Sequence, residues 1–256
     1  MKPDYKNWLP KPMLVGAVAA CAACLILAIV FALLGLTIPA IVLGAAFLGT
    51  LVYSAICAMW YTAFSYDGKR QLSRQIISGV SDYVKLPDGG TGLDIGCGSG
   101  ALAIACAKKN PNGKMVGIDS WGKKYDFSKA LCDRNAKLEG IGERTEFLRG
   151  DACSLPFADE SFDCVTSNYC YHNIPSDDRQ AILLETLRVL KKGGTFAIHD
   201  IFSRNKYGDM DAFMKKLKEM GFASAELIDT ANGKFMTGAE AKRLLLANSA
   251  LLIGTK

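Results

Sequence analysis

Between Met13 and Tyr66 the chain carries no Asp, Glu, Lys, Arg or His. The core of a soluble helical domain does not need so long a charge-free run. One membrane span takes about 20 apolar residues, so this run holds two. Gly35-Leu36-Thr37-Ile38-Pro39 breaks it, because proline starts a helix more readily than it continues one. Spans are therefore expected at about Met13–Leu34 and Pro39–Tyr61. Lys2, Lys6 and Lys11 precede the run, Lys69, Arg70 and Arg74 follow it, and the connecting loop is uncharged. By the positive-inside rule both flanks face the cytoplasm, which predicts a re-entering hairpin with Trp8, Trp60 and Tyr61 at the interface. That makes the chain an integral membrane protein with both termini cytoplasmic. A cleaved signal peptide fits less well, since the first stretch is too long and a second follows it. Cys21 and Cys24 form a C-x-x-C in the first span without a second pair to complete a metal site. They are read, with Gly16, Ala20, Gly44 and Gly49, as small residues that permit close helix packing and would allow a homo-oligomer.

The second constraint is Leu93-Asp94-Ile95-Gly96-Cys97-Gly98-Ser99-Gly100, a strand-like start running into three alternate glycines, with a helix-like stretch from Ala101 to Lys109 behind it. Glycines let the backbone turn tightly and approach a ligand, and the following helix N-terminus presents free N–H groups. The spacing is neither the dinucleotide G-x-G-x-x-G nor the phosphate-binding G-x-x-x-x-G-K-[ST], which points away from NAD and ATP. Four further strands are predicted: Lys114–Asp119, Phe147–Ala152, Phe162–Asn168 and Gly194–Asp200. Their alternation with helical stretches implies a parallel sheet. Ligands bind such sheets at the carboxyl ends of the strands, near the switch point, where a terminal acid such as Asp119 can accept hydrogen bonds from ribose hydroxyls.

From about Val84 to Lys256 the chain resembles class I S-adenosylmethionine-dependent methyltransferases, with the ubiquinone/menaquinone-type enzymes as the nearest subgroup. The blocks that carry the resemblance are Leu93–Gly100, Val116–Ser120, Gly150–Phe157, Ser161–Val165 and Leu187–Gly194. The resemblance implies a doubly wound, Rossmann-like α/β sheet of seven strands that ends in an antiparallel edge pair. It also implies a cofactor site. Asp94 would orient the amino acid end of S-adenosyl-L-methionine, and Gly96, Cys97, Gly98 and Gly100 would let it lie against the backbone. Asp119 would hold the ribose, Ser120 or Trp121 would flank the adenine, Asp151 and Ala152 would read its amino edge, and Asn168 would line the reaction side. The product would be S-adenosyl-L-homocysteine. The stretch Trp121-Gly122-Lys123-Lys124-Tyr125-Asp126-Phe127 departs from the family, so Trp121 either stacks on adenine or packs on the loop.

Methyl transfer from a sulfonium is an in-line displacement in which the protein positions the acceptor and can remove its proton. Histidine suits that step. The only two, His172 and His199, fall on the expected ligand side, and Tyr169 and Tyr171 could shape an acceptor pocket. Residues 67–86 are expected to form an amphipathic linker helix, with Leu72, Ile76, Ile77 and Val80 on one face; Tyr66-Asp67-Gly68 would be placed to close over the cofactor. The methyltransferase domain would then cover 87–256, after a membrane anchor at 1–66. Toward the C-terminus, helices are expected at Asp209–Met220 and Gly238–Ala247, with strands at Ala225–Ile228 and Ala250–Gly254. The nine cysteines show no zinc spacing, and the net charge of +5 suits anionic lipid while no basic, aromatic-interleaved patch suggests nucleic acid. The expected activity is methyl transfer to a small, lipophilic or lipid acceptor, without a metal. A non-catalytic membrane scaffold that binds the same cofactor is the alternative.

Overall fold

The computed structural model describes residues 2–122 and 126–256. It divides into two compact units, one of residues Lys6–Ser73 and one of Met1–Tyr5 with Arg74–Lys256. Residues 123–125 of the inserted stretch after Asp119 lie outside the described residues.

The smaller unit is a helical hairpin of α1 (Lys11–Leu33) and α2 (Thr37–Ala63), both long and apolar enough to cross a membrane. Gly35, at φ +74°, ends α1. Its N–H bonds to the Ala32 carbonyl and that of Leu36 to Phe31, the paired closure that a left-handed glycine makes possible. The second helix begins at Thr37, two residues before the expected Pro39, because proline in the first turn removes only an N–H with no partner inside the helix. Among the described residues, all exposed large hydrophobic residues except Leu138, Met220 and Leu245 lie between Met13 and Ile56. Ala17 and Cys21 are buried in α1 and Ser54, Cys57 and Ala63 in α2. Gly16, Gly44 and Gly49 have open space where a Cβ would stand. The α1–α2 packing therefore does not depend on these glycines, contrary to their expected role within the hairpin.

The longer segment of the larger unit begins inside α3 (Leu72–Ser81), which is shorter than the linker helix expected over 67–86. Ile76, Ile77 and Val80 are buried, worth about 1.5–3 kcal/mol each. Gly79 lets the Phe235 ring against the helix, since a Cβ there would lie 2.7 Å from the ring's Cζ. The Nζ of Lys109 donates to the Ser78 carbonyl and pairs with Asp82.

The sheet follows with β1 (Thr91–Ile95), α4 (Ala101–Lys109), β2 (Lys114–Asp119), α5 (Lys129–Leu138), β3 (Thr145–Arg149), β4 (Phe162–Asn168), α6 (Arg179–Arg188) and β5 (Leu190–Ile201). It ends with α7 (Arg204–Tyr207), α8 (Met210–Glu219), β6 (Ser224–Asp229), α9 (Gly238–Arg243) and β7 (Ser249–Thr255). The strand order is β3-β2-β1-β4-β5-β7-β6, with only β7 antiparallel to its neighbours. The expected seven-stranded α/β sheet with an antiparallel edge pair is what forms. Ser128 and Asp209 cap α5 and α8 through their side chains, so α8 starts one residue after the expected Asp209.

Three boundaries differ for local reasons. The third strand ends at Arg149, and Asp151 turns back to bridge Ser154. The fifth strand starts at Leu190 and bulges through Gly193, at φ +76°, before pairing resumes at Thr195. The last helix stops at Arg243 because Leu245 adopts φ +59°. At the centre, Ile95 stands opposite Ile118 and Ser167, and Asn168 opposite His199. That register aligns the carboxyl ends of β1, β2, β4 and β5, with the reversal of strand order between β1 and β4. The site gathers at this edge.

Candidate active site

Gly96, Gly98 and Gly100 sit at φ +71°, +56° and +81°, a region side chains enter at a cost of about 1–2 kcal/mol per residue. A Cβ on Gly96 would overlap the sulfur of Cys170, so the turn after β1 and the loop after β4 touch at this point. The Gly96 and Cys97 N–H groups bond to the Ile118 carbonyl at 2.8 and 3.1 Å. The turn is thus tied to β2. The Gly98 N–H donates to Oδ2 of Asp119 at 2.8 Å. Oδ1 of Asp119 takes the Trp121 N–H at 2.7 Å, and the indole N–H of Trp121 reaches the Gly98 carbonyl at 2.9 Å. Of the two arrangements open to Trp121, the structure shows packing on the glycine turn. Ser120 beside it is exposed.

Asp94 is buried below the turn. Its Oδ2 accepts the Ala103 N–H at 3.0 Å, and Oδ1 has no partner among the described residues. Burial pushes its carboxyl well above the usual range, against the pull of the Ala103 N–H, and neighbouring Asp119 raises it further. A buried acceptor without a donor costs about 1–3 kcal/mol. Asp151 is exposed and spends Oδ1 on the Cys153 N–H at 2.9 Å; Ala152 is half-buried against the core.

The two histidines separate sharply. His199 is fully buried on β5, with Nδ1 2.8 Å from Oδ1 of Asn168 and Nε2 2.8 Å from the Thr230 hydroxyl. Burial lowers its pKa to about 3, with Asp200 pulling weakly the other way. Neutral, enclosed and with both nitrogens engaged, it has no means of exchanging a proton with an acceptor. It packs in the core. Asn168, half-buried at the carboxyl end of β4, meets His199 through Oδ1.

His172 stands on the single helical turn Tyr171–Asn173 after β4. Its Nδ1 lies 2.6 Å from Oδ1 of Asp200, which is fully buried, whereas the imidazole keeps part of its surface exposed. Asp200 also accepts the N–H groups of Ile201 at 2.6 Å, Tyr171 at 2.8 Å and His172 at 3.3 Å. Arg179 on α6 grips the same loop through the carbonyls of Tyr171, Ile174 and Ser176, at 3.2, 2.9 and 2.9 Å. Lys206 bonds to the carbonyl of His172 itself at 3.2 Å. Tyr169, at φ +49°, places its ring 4.6 Å from His199 and 6.0 Å from His172, and its hydroxyl meets Ser249 at 2.7 Å. Burial drives the Tyr169 hydroxyl far above its usual pKa, so it orders the rings instead of carrying a proton. Cys170 lies between the two halves. Its thiol is raised by burial and by Asp200, Asp119 and Asp94 in turn.

Sequence reasoning had not assigned a role to Asp200. The signal was present: it ends the expected strand Gly194–Asp200, by the criterion that singled out Asp119. Arg179 gave no such signal, because its partners are carbonyls.

Comparison with known proteins agrees with this geometry. Residues 93–198 match a family described as a methyltransferase domain. A demethylmenaquinone methyltransferase of Lactobacillus johnsonii is 36% identical over 116 residues, covering 45% of each chain. A 2-phytyl-1,4-naphtoquinone methyltransferase of Thermosynechococcus vestitus is 31% identical over 135 residues, covering 52% of this chain and 56% of that protein. The chain thus spans about half the length of these relatives. Among solved structures, a geranyl diphosphate methyltransferase in complex with its substrate and sinefungin superposes with a TM-score of 0.57 at 14% identity, covering 76% of this chain and 83% of that one. YcgJ of Bacillus subtilis gives 0.52 at 20% identity, covering 72% and 98%. Residues 93–198 thus match a methyltransferase domain, set on a seven-stranded α/β sheet of the kind found in class I S-adenosylmethionine-dependent methyltransferases. Within that class the chain is similar to the quinone methyltransferases.

The residues present fit the cofactor of that class. A glycine turn held open by positive φ angles, a strand-end carboxylate at Asp119 and an unpaired oxygen on Asp94 suit a ligand rich in hydroxyl and amine donors. Among the described residues no cluster of His, Cys, Asp and Glu could hold a metal ion.

Proposed function

We propose that this protein is a membrane-anchored methyltransferase that works from the cytoplasmic side on a small lipophilic acceptor of the quinone type. The observation that carries the proposal is the His172–Asp200 pair on the same sheet edge as the glycine turn. The apolar hairpin and the quinone acceptors of the relatives support the acceptor class. The Lys- and Arg-bearing flanks support the cytoplasmic orientation.

When bound, S-adenosyl-L-methionine supplies a sulfonium methyl group for in-line displacement. The chain's own residues do the rest. The glycine turn would leave room for the cofactor against the backbone, Asp119 would accept from its hydroxyls, and Oδ1 of Asp94 would accept from its amino group. Asp200 holds the proton of His172 on Nδ1 and leaves Nε2 as the acceptor of a proton from the substrate, the division of labour by which a buried carboxylate orients a general base. Asp200 then stabilises the imidazolium that forms. Tyr169 and the Arg179-held loop keep the imidazole in place.

The test is the full chain in lipid nanodiscs with methyl-labelled S-adenosylmethionine and reduced demethylmenaquinone, read by incorporated label. His172→Gln and Asp200→Asn should each lower turnover by about 10²–10⁴-fold while leaving S-adenosylhomocysteine binding intact. Binding without turnover on this acceptor or on any lipid extract would favour the non-catalytic scaffold instead.

A further inference from the structure

Asn135 is a polar side chain on α5 with no exposed surface. Its Nδ2 donates to two carbonyls, Ser99 at 3.1 Å and Asp4 at 2.9 Å, and its Oδ1 accepts the Asp4 N–H at 2.9 Å. One amide therefore reads both backbone groups of residue 4 and, with the same nitrogen, the carbonyl between Gly98 and Gly100. One turn earlier on the same helix, the Cys132 thiol meets the Gly98 carbonyl at 3.2 Å. The glycine turn thus rests on α5, and α5 holds the N-terminal segment. That segment is seated at further points: Tyr5 is buried, with its hydroxyl on Glu139 at 3.1 Å, and Asp4 approaches Arg134 at 3.8 Å. By contact these residues belong to the methyltransferase unit, although in sequence they precede the apolar hairpin that starts at Lys11.

If residues 2–5 left their place, Asn135 would keep one of its three bonds. Each stranded buried donor or acceptor costs about 1–3 kcal/mol. The side chain would then bond water or turn to new partners, and turning releases Ser99. Occupancy of the strap and geometry of the glycine turn are therefore linked through a single amide. We propose that residues 2–5 act as a strap on the methyltransferase unit, and that Asn135 is the positioning residue through which the strap sets the glycine turn for its ligand. The inference rests on the cofactor assignment made above. Because the strap continues covalently into the hairpin, the segment leading into the anchor is at the same time part of the cofactor site's support.

The experiment uses the full chain in nanodiscs, a deletion of residues 2–5, Asn135→Ala and the two combined. Calorimetric titration with S-adenosylhomocysteine should show Kd raised about tenfold in each single variant, with one site per chain retained. The combined variant should be no weaker than either alone, because both remove the same link. Backbone amides of residues 96–103 should exchange with deuterium about fivefold faster or more in the deletion without any ligand. A change in Kd within twofold, multiplied effects in the combined variant, or a falling site number at constant Kd would overturn the proposal. If the unaltered chain binds no S-adenosylhomocysteine, the cofactor assignment fails by itself. The exchange measurement then decides the strap, and unchanged protection at 96–103 refutes it. The deletion carries the test if Asn135→Ala does not fold.

Discussion

Gly96→Ala isolates the contact on which the two halves of the site depend. The new Cβ would lie at φ +71°, which costs about 1–2 kcal/mol. It would also overlap the sulfur of Cys170 and lie 2.6 Å from that residue's Cβ, and relief of such overpacking costs about 1–3 kcal/mol more. The expected destabilisation is about 2–5 kcal/mol, a fall in Tm of about 5–15 °C for a unit of this size. Cys170→Gly removes both overlapping atoms and leaves the φ cost, so Gly96→Ala in that background should lose only about 1–2 kcal/mol. A coupling energy of about 1–3 kcal/mol between the two positions follows. Trp121 supplies the probe, since its indole N–H bonds within the turn. Urea unfolding would be followed by its fluorescence in a Trp8→Phe, Trp60→Phe background. A coupling below about 0.5 kcal/mol would show that the loop after β4 moves freely away from the turn, and would refute the close approach as a constraint.

Three other outcomes are expected. Asp119→Ala, which strands the N–H groups of Gly98 and Trp121, should weaken S-adenosylhomocysteine binding more than tenfold by calorimetry, roughly the effect of two lost charge-assisted bonds. His199, with its pKa depressed to about 3, stays neutral in the fold while the unfolded chain protonates near 6.5. Stability is therefore lost as pH falls from about 6.5 toward 3, by about 2 kcal/mol between pH 7 and 5; denaturation of His199→Gln against the unaltered chain should show that slope removed. In sealed vesicles, Leu36→Cys between the two apolar helices should react with an impermeant maleimide from the outer side only, and exposed Cys153 from the cytoplasmic side only. Labelling of both from one side would refute the hairpin topology.

The sheet was legible because its signals are local and periodic. Each strand of Lys114–Asp119 and Phe162–Asn168 runs to a polar terminus at the expected residue, and the glycine spacing announces the turn between β1 and α4. The boundaries that moved, at Arg149, Leu190 and Arg243, depend on single left-handed residues or on pairing across the sheet, which spacing does not encode. Within the site, His172 could be proposed from its position after β4, but its difference from His199 could not. That difference lies in what each imidazole touches: Asp200 and solvent for one, Asn168 and Thr230 for the other. Nothing in Lys2-Pro3-Asp4-Tyr5 distinguishes residues that pair with an asparagine 131 positions away.

Arg179 holds the loop of His172 by three carbonyl oxygens, and every amino acid brings a carbonyl to its position. Those three bonds are therefore indifferent to which side chains Tyr171, Ile174 and Ser176 carry. In such an arrangement a point mutation can exchange a loop side chain while the imidazole stays where it is.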